Sequence, residues 1–150
     1  MHFATWTEDQ RRQWFNGCVT NVPQPPDDVD AFYWAITRKD SGAVIGWFGI
    51  GTSSDAAVPG ERSFGYVLER TYWNQGYMTE ALNAVLAYEF GTRSTPRLRA
   101  TCDVGNPASA RVMAKVGMQL EKTVFDANFE GNGAKQHHYA ITRAKYEDQR

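Results

Sequence analysis

Few of the features that mark common protein classes are present in this sequence. It has only two cysteines, Cys18 and Cys102, and they fit neither a Cys-x-x-Cys nor a Cys/His ligand spacing. We therefore predict buried, reduced thiols in a cytoplasmic protein, and no metal site. No run approaches the roughly 18 apolar residues of a membrane span. An N-terminus with Glu8 and Asp9 is not typical of a signal peptide, so we expect no membrane partner.

An excess of charge of one sign is also lacking. Sixteen Lys and Arg residues stand against seventeen Asp and Glu residues, and the basic ones form no stripe. We therefore expect no nucleic-acid partner. The hydrophobic fraction of 42% and the charged fraction of 22% are ordinary for a soluble globular protein. A chain of this length fits one domain over 1–150.

The order of predicted elements indicates a mixed α/β domain. Thr7 and Gln10 form a capping-box pattern that predicts a helix over 8–16, and a proline-rich loop follows. Apolar spacing predicts a helix over 78–90 and another between Asn106 and Gly117. Aromatic and β-branched runs predict strands over 32–38, 43–50, 63–68, 98–104, 118–125 and 136–142. The predicted architecture is antiparallel hairpins around one right-handed strand–helix–strand crossover.

Three connections between these strands have turn or loop composition. A turn is predicted over 39–42, and another at Gly131, Asn132 and Gly133. The stretch over 51–61 is small and polar, which is typical of a mobile surface loop.

The segment YWNQGYMTEA at 72–81 joins a predicted strand to the apolar helix. A helix N-terminus presents unpaired amide donors and the positive end of the helix dipole, so it attracts anions. Gly76 has no side chain that would keep a phosphate from the backbone, and Thr79 can add a hydroxyl. These residues favour a diphosphate ligand. The alternative is that Gly76 only permits a tight turn before a buried helix.

A second segment, NPASARVM at 106–113, opens the next predicted helix. Asn106 is a good N-cap residue, and Pro107 suits the first helical turn. The Asn106 side chain can also offer a donor and an acceptor to an amide-bearing ligand. The Ser109 hydroxyl can point into the same cleft.

Together the two segments resemble the signature of the GCN5-related N-acetyltransferase (GNAT) superfamily. WNQGYMTEA at 73–81 resembles the acetyl-CoA diphosphate loop of the branch that acetylates ribosomal-protein N-termini (RimJ/RimL-like). NPASARVM, with KVGM at 115–118, resembles its Asn-x-x-Ser block, and YAI at 139–141 resembles its closing strand. The likeness covers about residues 28–146. It implies the GNAT fold, an α/β domain whose mostly antiparallel sheet has one central parallel pair, splayed for coenzyme A.

The resemblance also implies acetyl-CoA as co-substrate and a set of residues that hold it. The strand over 65–69 would splay from the strand at Leu98. The pantetheine arm would then pair with the backbone of Tyr66, Val67 and Leu68, and one of these N–H groups would polarise the thioester carbonyl. Asn106 would bind pantetheine, with Ser109 beside it. The diphosphate would lie on the backbone of the loop residues Gln75, Gly76, Tyr77, Met78 and Thr79.

The sequence departs from the family pattern at several positions. Trp73 replaces the usual Gln or Arg, and Met78 replaces a Gly or Ala and would narrow the phosphate loop. Met113 stands where many members have a tyrosine that acts as an acid. Only Met1 to Trp6 precede the first predicted helix, so we expect the N-terminal strand of the family to be absent or supplied otherwise. Two interpretations stay open: an unpaired sheet edge at which a homodimer could form, or a sequence that starts late.

The implied reaction is direct attack of a neutral amine on the thioester, because neither cysteine has a neighbouring base in the sequence. An α-amine has a pKa of about 7.7–8.0, against about 10.4 for an alkyl amine. It therefore loses its proton to a weaker base, which could be water or one carboxylate. Glu61 and Asp126 are the candidate bases, although each carboxylate taken alone is more typical of a solvated surface charge.

The acid that protonates the departing thiolate is a separate question. Ser109 is the first candidate, ahead of Tyr139, which could also be a half-buried aromatic residue with a solvated hydroxyl. His137 and His138 point to opposite faces of one predicted strand, so at most one of them can face the cleft.

We therefore predict an acetyl-CoA-dependent N-acetyltransferase. Its acceptor would be the N-terminal α-amine of a protein or peptide, or a small amine. The near-neutral charge argues against strongly polycationic acceptors. Two alternatives stay open: a catalytically silent acyl-CoA-binding module, and a structural domain whose turn at Gly76 binds nothing.

Overall fold

A six-stranded mixed sheet organises the fold. The structure is a computed structural model of the 150-residue chain, and it describes residues 31–53, 55–127 and 133–150. The sheet has the strand order β1-β2-β3-β4-β6-β5. Its strands are β1 (Ala31–Thr37), β2 (Val44–Thr52), β3 (Arg62–Leu68), β4 (Arg97–Asp103), β5 (Gln119–Asp126) and β6 (Ala134–Thr142). The helices are α1 (Tyr77–Gly91), α2 (Pro107–Lys115) and α3 (Arg143–Asp148), and a 3₁₀ turn spans Arg70–Tyr72.

The predicted mixed α/β fold is confirmed, and each strand boundary lies within two residues of its predicted position. Helix α3 was not predicted, because six residues are too few to show helical periodicity. It begins where the Thr142 hydroxyl accepts a hydrogen bond from the Lys145 amide at 3.2 Å, as an N-cap does. The helix predicted over 8–16, Cys18 and the question of the N-terminal strand lie outside the described residues.

The predicted turn between β1 and β2 is also present. Gly42 adopts a left-handed backbone conformation with φ of 69°. The Gly42 amide donates to the Arg38 carbonyl at 2.8 Å, and the Arg38 amide donates to the Ala43 carbonyl at 2.9 Å. These two bonds close the hairpin and place residues 38–40 beyond the end of the sheet.

Helices α1 and α2 pack against one face of the sheet, which we call the helix face. Helix α1 buries Leu82, Leu86 and Phe90 there, and α2 buries Met113. The strand side chains in the same core alternate along each strand, as side chains of one face must. They include Phe48, Phe64, Leu98, Cys102, Tyr139 and Ile141. Cys102 is a free, buried thiol, which confirms the prediction for this cysteine.

The opposite face, which we call the far face, carries a different set of residues. Strand pairing puts Arg99 level with Ser63, and Thr101 level with His138. Because residues two apart share a face, Gly65 lies on the far face with them. Beside the β3–β4 pair the far face is therefore polar, whereas the helix face is apolar.

The parallel pair of strands holds together over only part of its length. Arg62 pairs with Leu98 and Ser63 pairs with Arg99, and no further rung joins β3 to β4. Strand β3 continues to Leu68 and β4 to Asp103, so the two strands separate beyond the second rung. The predicted splay is therefore present, and it opens a gap toward the carboxyl ends of both strands.

No helix in the described part of the chain is both long and apolar enough to cross a membrane.

Candidate active site

One wall of the gap is the free edge of β3. Its other edge is fully paired with β2, from Thr52 opposite Arg62 to Gly46 opposite Leu68. Toward β4, the backbone from Phe64 onward has no strand partner. Backbone N–H and C=O groups need partners when they are removed from water. The predicted pantetheine contacts Tyr66, Val67 and Leu68 lie on this stretch. The Val67 backbone groups point toward β2 and the Leu68 carbonyl accepts from the Trp73 indole, so the groups of Tyr66 and the Leu68 N–H are the ones that face the gap.

The helix-face side of the gap is closed by Tyr66. Its hydroxyl donates to the Ser109 carbonyl at 3.4 Å, which joins β3 to the first turn of α2. Burial raises the pKa of Tyr66 to about 12. Burial also raises the pKa of the Cys102 thiol and of the Tyr139 hydroxyl, both on this face. Tyr139, a candidate acid, is therefore a neutral group at neutral pH and lies among core side chains.

The loop between β3 and α1 has an unusual backbone. Asn74 has φ of 58° and Gly76 has φ of 87°, so two residues with positive φ are separated by the single residue Gln75. Side chains of the loop hold it in place. The Trp73 indole N–H donates to the Leu68 carbonyl at 2.8 Å, and the Gln75 amide nitrogen donates to the Thr71 carbonyl at 2.8 Å. The indole N–H of Trp73 thus holds the loop against the end of β3 and is not available to a ligand.

The N-terminus of α1 lacks the side-chain cap that the other two helices have. Gly76 is the N-cap residue and provides no side chain, whereas Asn106 caps α2 and Thr142 caps α3. The first helical hydrogen bond runs from the Glu80 amide to the Gly76 carbonyl at 2.9 Å. The amides before it, of residues 77–79, have no acceptor within the helix. They are therefore available to an anion.

Met78 does not narrow the phosphate loop. Its side chain is 5% exposed and belongs to the hydrophobic core, so it points away from the outer side of the loop. The expectation that this residue would crowd a ligand was wrong, because it assumed an outward side chain. The part of its backbone amide in holding a diphosphate stays a prediction.

Asn106 is the N-cap residue of α2, as its position before Pro107 predicted. Its Oδ1 accepts a hydrogen bond from the Ser109 amide at 3.1 Å. Its Nδ2 makes no hydrogen bond within the described residues, so both of its N–H donors remain for a ligand. Ser109 is half-buried in the same turn. The two residues therefore lie together in the first turn of α2, and their contact with a ligand stays a prediction.

Two cations from the β1–β2 turn lie beside the N-terminus of α1. The Arg38 guanidinium is 5.7 Å from the centre of the Tyr72 ring and 5.9 Å from that of Tyr77. Lys39 forms an ion pair with Glu80 at 2.9 Å. Sequence analysis missed them, because only the folded hairpin brings residues 38 and 39 next to a helix that starts at residue 77.

Glu61 is placed in a buried ion-pair network at the closed end of the gap. Its side chain is fully buried and pairs with Arg97, and with the Arg99 Nε at 3.2 Å. The Ala57 amide also donates to its Oε1, at 3.3 Å. Each carboxylate oxygen therefore has a partner of its own. This environment favours a structural role, and the assignment of Glu61 as the general base stays a prediction that the geometry does not support.

Asp126 lies on the outermost strand of the sheet. It is exposed and stands opposite Ala134 near the end of the β5–β6 pair. Strand β6 separates β5 from β4, and neighbouring strands lie about 4.8 Å apart. Asp126 is thus roughly 10 Å to the side of β4, which makes it a distant base for chemistry in the gap.

Comparison with protein-family models gives one match. The family described as acetyltransferase (GNAT) domain matches residues 1–119. Among curated proteins, the uncharacterized protein YkkB of Bacillus subtilis is 32% identical over 115 residues. That alignment covers 77% of this chain and 64% of YkkB. The chain therefore spans less than two thirds of the length of this relative.

Solved structures with the same fold include two informative ones. An acetyltransferase of the GNAT family from Bacillus anthracis is 26% identical and superposes with a TM-score of 0.73, covering 93% of this chain and 76% of that one. The aminoglycoside acetyltransferase AAC(6')-Ib, solved in complex with coenzyme A, is 16% identical with a TM-score of 0.67. The match covers 79% of this chain and 70% of that chain. At 16% identity the second likeness concerns the fold alone.

Proposed function

This chain belongs to the acetyltransferase (GNAT) domain family, and we propose that it transfers the acetyl group of acetyl-CoA to a primary amine. The observation that carries the proposal is the combination of an uncapped helix N-terminus at Gly76 with a gap between β3 and β4. One feature suits a diphosphate, and the other suits an extended arm with amide groups. Acetyl-CoA has both, joined in one molecule with the thioester at the end of the arm.

Different residues contact the diphosphate and the pantetheine arm of acetyl-CoA. The backbone of Gln75 to Thr79 holds the diphosphate, with the Arg38 and Lys39 side chains nearby. The backbone groups that face the gap along Tyr66, Val67 and Leu68 pair with the pantetheine amides, and the Asn106 side-chain amide supplies further donors. These contacts hold acetyl-CoA along its length and so fix the position of its thioester. A thioester that is already in position lowers the entropic part of the reaction barrier.

The reaction is direct transfer without an acyl-enzyme. The lone pair of the amine nitrogen forms a bond to the thioester carbonyl carbon, and the carbon–sulfur bond breaks with its electrons on sulfur. A backbone N–H of the β3 edge donates to the carbonyl oxygen as it gains negative charge. The Ser109 hydroxyl, near the start of α2, is the proposed proton donor to the departing thiolate.

The proposed acceptor is an N-terminal α-amine of a protein or peptide, or a small amine. The two motif segments resemble the RimJ/RimL-like branch, which supports the first class. The chain has a net charge of −1, so it lacks the strongly acidic character that suits polycationic amines. A single domain over 1–150, a cytoplasmic location and a homodimer stay predictions.

Thiol release and thermal stability together test the proposed function. We expect coenzyme A and acetyl-CoA each to raise the Tm, because a ligand that binds the folded state stabilises it. We expect the release of free thiol from acetyl-CoA to rise above hydrolysis when peptides with free α-amines are added. A raised Tm with no amine-dependent release would favour the silent binding module. No change in Tm would favour the structural domain.

Replacing Ser109 by Ala separates chemistry from binding. If the hydroxyl protonates the thiolate, kcat falls more than the affinity for acetyl-CoA, because the interaction exists only in the transition state. Steady-state kinetics and a binding titration of the same variant measure the two quantities. Equal losses in both would make Ser109 a ligand contact or a helix residue.

A further inference from the structure

In the part of the chain that the structure describes, the open approach to the gap is from the far face. On the helix face, α1 and α2 cover the strands, and the Tyr66 hydroxyl bridges to the Ser109 carbonyl. On the far face, Gly65 is exposed and an added Cβ would meet no atom within 4 Å. Thr101 on β4 is exposed as well. These are the first far-face residues beyond the last rung of the β3–β4 pair, so they form the mouth of the gap.

His138 stands next to this mouth. It lies on β6 directly opposite Thr101, and directly opposite residues of an antiparallel pair have Cβ atoms about 4.5–5.5 Å apart. Among the described residues, Thr101 alone stands between the imidazole and the gap. Its neighbour His137 points to the other face, where its Nδ1 lies 2.8 Å from the Thr123 hydroxyl. The strand register therefore decides which of the two histidines faces the gap.

We propose that His138 is the general base that accepts the proton of the acceptor amine. This inference rests on the proposed acetyl transfer and adds to it a residue that neither motif segment contains. The described far-face residues nearest to His138 are less suitable bases. Arg99 is a cation engaged with Glu61 and Asp55, and the Asp103 carboxylate accepts from the Gly105 amide at 2.6 Å.

The surroundings of His138 favour its neutral form. Partial burial lowers its pKa from the ordinary value of 6.5, and the positive charges of Lys122 on β5 and Arg99 on β4 lower it further. Asp55 from the β2–β3 loop and Glu121 on β5 act in the opposite direction with smaller effect. The imidazole is therefore neutral at pH 7 and has a nitrogen lone pair with which to take a proton.

The proton transfer balances the acetyl transfer. As the carbon–nitrogen bond forms, the amine nitrogen becomes positively charged and gives one proton to a ring nitrogen of His138. The carbon–sulfur electron pair leaves with sulfur. The imidazolium then releases its proton to water and returns to the neutral form, so no oxidant, reductant or further reactant is needed.

Replacing His138 by Asn tests the proposal. Loss of a general base typically costs between 10²- and 10⁴-fold in rate, so we expect kcat to fall about 100-fold with the affinity for acetyl-CoA unchanged. In the wild type, the logarithm of kcat/KM should fall as the pH is lowered, because the acceptor amine becomes protonated. This single protonation gives a slope near one. Below about pH 6.5 the slope should steepen toward two, because both the amine and His138 must be deprotonated. In the variant the slope should stay near one.

His137→Asn is the matched control, because it makes the same change at the next residue of the same strand. We expect its kcat and pH profile to match the wild type. If His138→Asn keeps the wild-type rate and slope while the wild type releases thiol, the base assignment fails and acetyl transfer stands. If the wild type itself shows no amine-dependent release, the proposed function fails.

Lys122→Met provides a second variant, which keeps His138 itself and changes the residue opposite it on β5. Removing this positive charge should raise the pKa of His138, so the steepening of the wild-type pH profile should move to higher pH. A purely structural role for His138 would leave the profile where it is. An unmoved profile in Lys122→Met, with the rate kept in His138→Asn, would overturn the proposal.

Discussion

Replacing Gly76 by Asp is expected to weaken acetyl-CoA binding about 100-fold. Gly76 has φ of 87°, and an added Cβ meets no atom within 4 Å, so the change introduces backbone strain and charge without a clash. The strain of a non-glycine residue in this region costs on the order of 1–3 kcal/mol. The carboxylate places a negative charge where the uncapped amides of α1 would meet a diphosphate. Isothermal titration of acetyl-CoA measures the loss.

Gly76→Asn is the control that isolates the charge. Asparagine and aspartate have the same shape and both tolerate left-handed backbone conformations, so the strain is shared. We expect the Asn variant to bind at least tenfold more tightly than the Asp variant, a difference of about 1.4 kcal/mol. Equal affinities of the two variants would mean that no anion binds at this turn.

Replacing Glu61 by Gln is expected to lower the free energy of unfolding by about 3 kcal/mol. The carboxylate is fully buried between Arg97 and Arg99, whose side chains are 12% and 19% exposed. Removing one partner of a buried ion pair leaves the other charge uncompensated, which typically costs 3–5 kcal/mol. For a chain of this size the Tm should fall by about 10 °C. The acidic limb of the pH–rate profile should keep its wild-type position.

Glu121→Gln is the matched control for this change. Glu121 pairs with the same Arg97, but its side chain is 46% exposed. Exposed ion pairs contribute about 0–1 kcal/mol, so we expect a shift in the free energy of unfolding of less than 1 kcal/mol. A Glu61→Gln variant that kept its stability and lost the acidic limb of its pH profile would restore Glu61 as the base.

The order of the strands and helices could be predicted from the sequence because each depends on local pattern. Neighbouring residues in the sequence are enough to determine three of these features: the turn at 39–42, the strand before Gly76 and the cap at Asn106. The two motif segments, quoted from the sequence alone, lie on the two sides of the gap. Helix α3 was missed because it is shorter than two helical turns.

The environment of the candidate bases could not be predicted, because it depends on strand register. Glu61 is next to a strand in the sequence, and only the folded sheet shows that Arg97 and Arg99 of another strand surround it. The choice between His137 and His138 likewise depends on which of them stands opposite Thr101. A shift of one residue in that register would exchange the faces of the two histidines.

Amide chemical shifts during a titration with acetyl-CoA test the central claim most directly. In a ¹⁵N-labelled chain, the account predicts the largest changes at the amides of Tyr77, Met78 and Thr79, and further changes along Phe64 to Leu68. Acetyl-pantetheine, which lacks the diphosphate, should shift the β3 amides and leave those of the α1 N-terminus in place. Saturable binding of acetyl-CoA that leaves the amides of residues 77–79 unshifted would contradict the account.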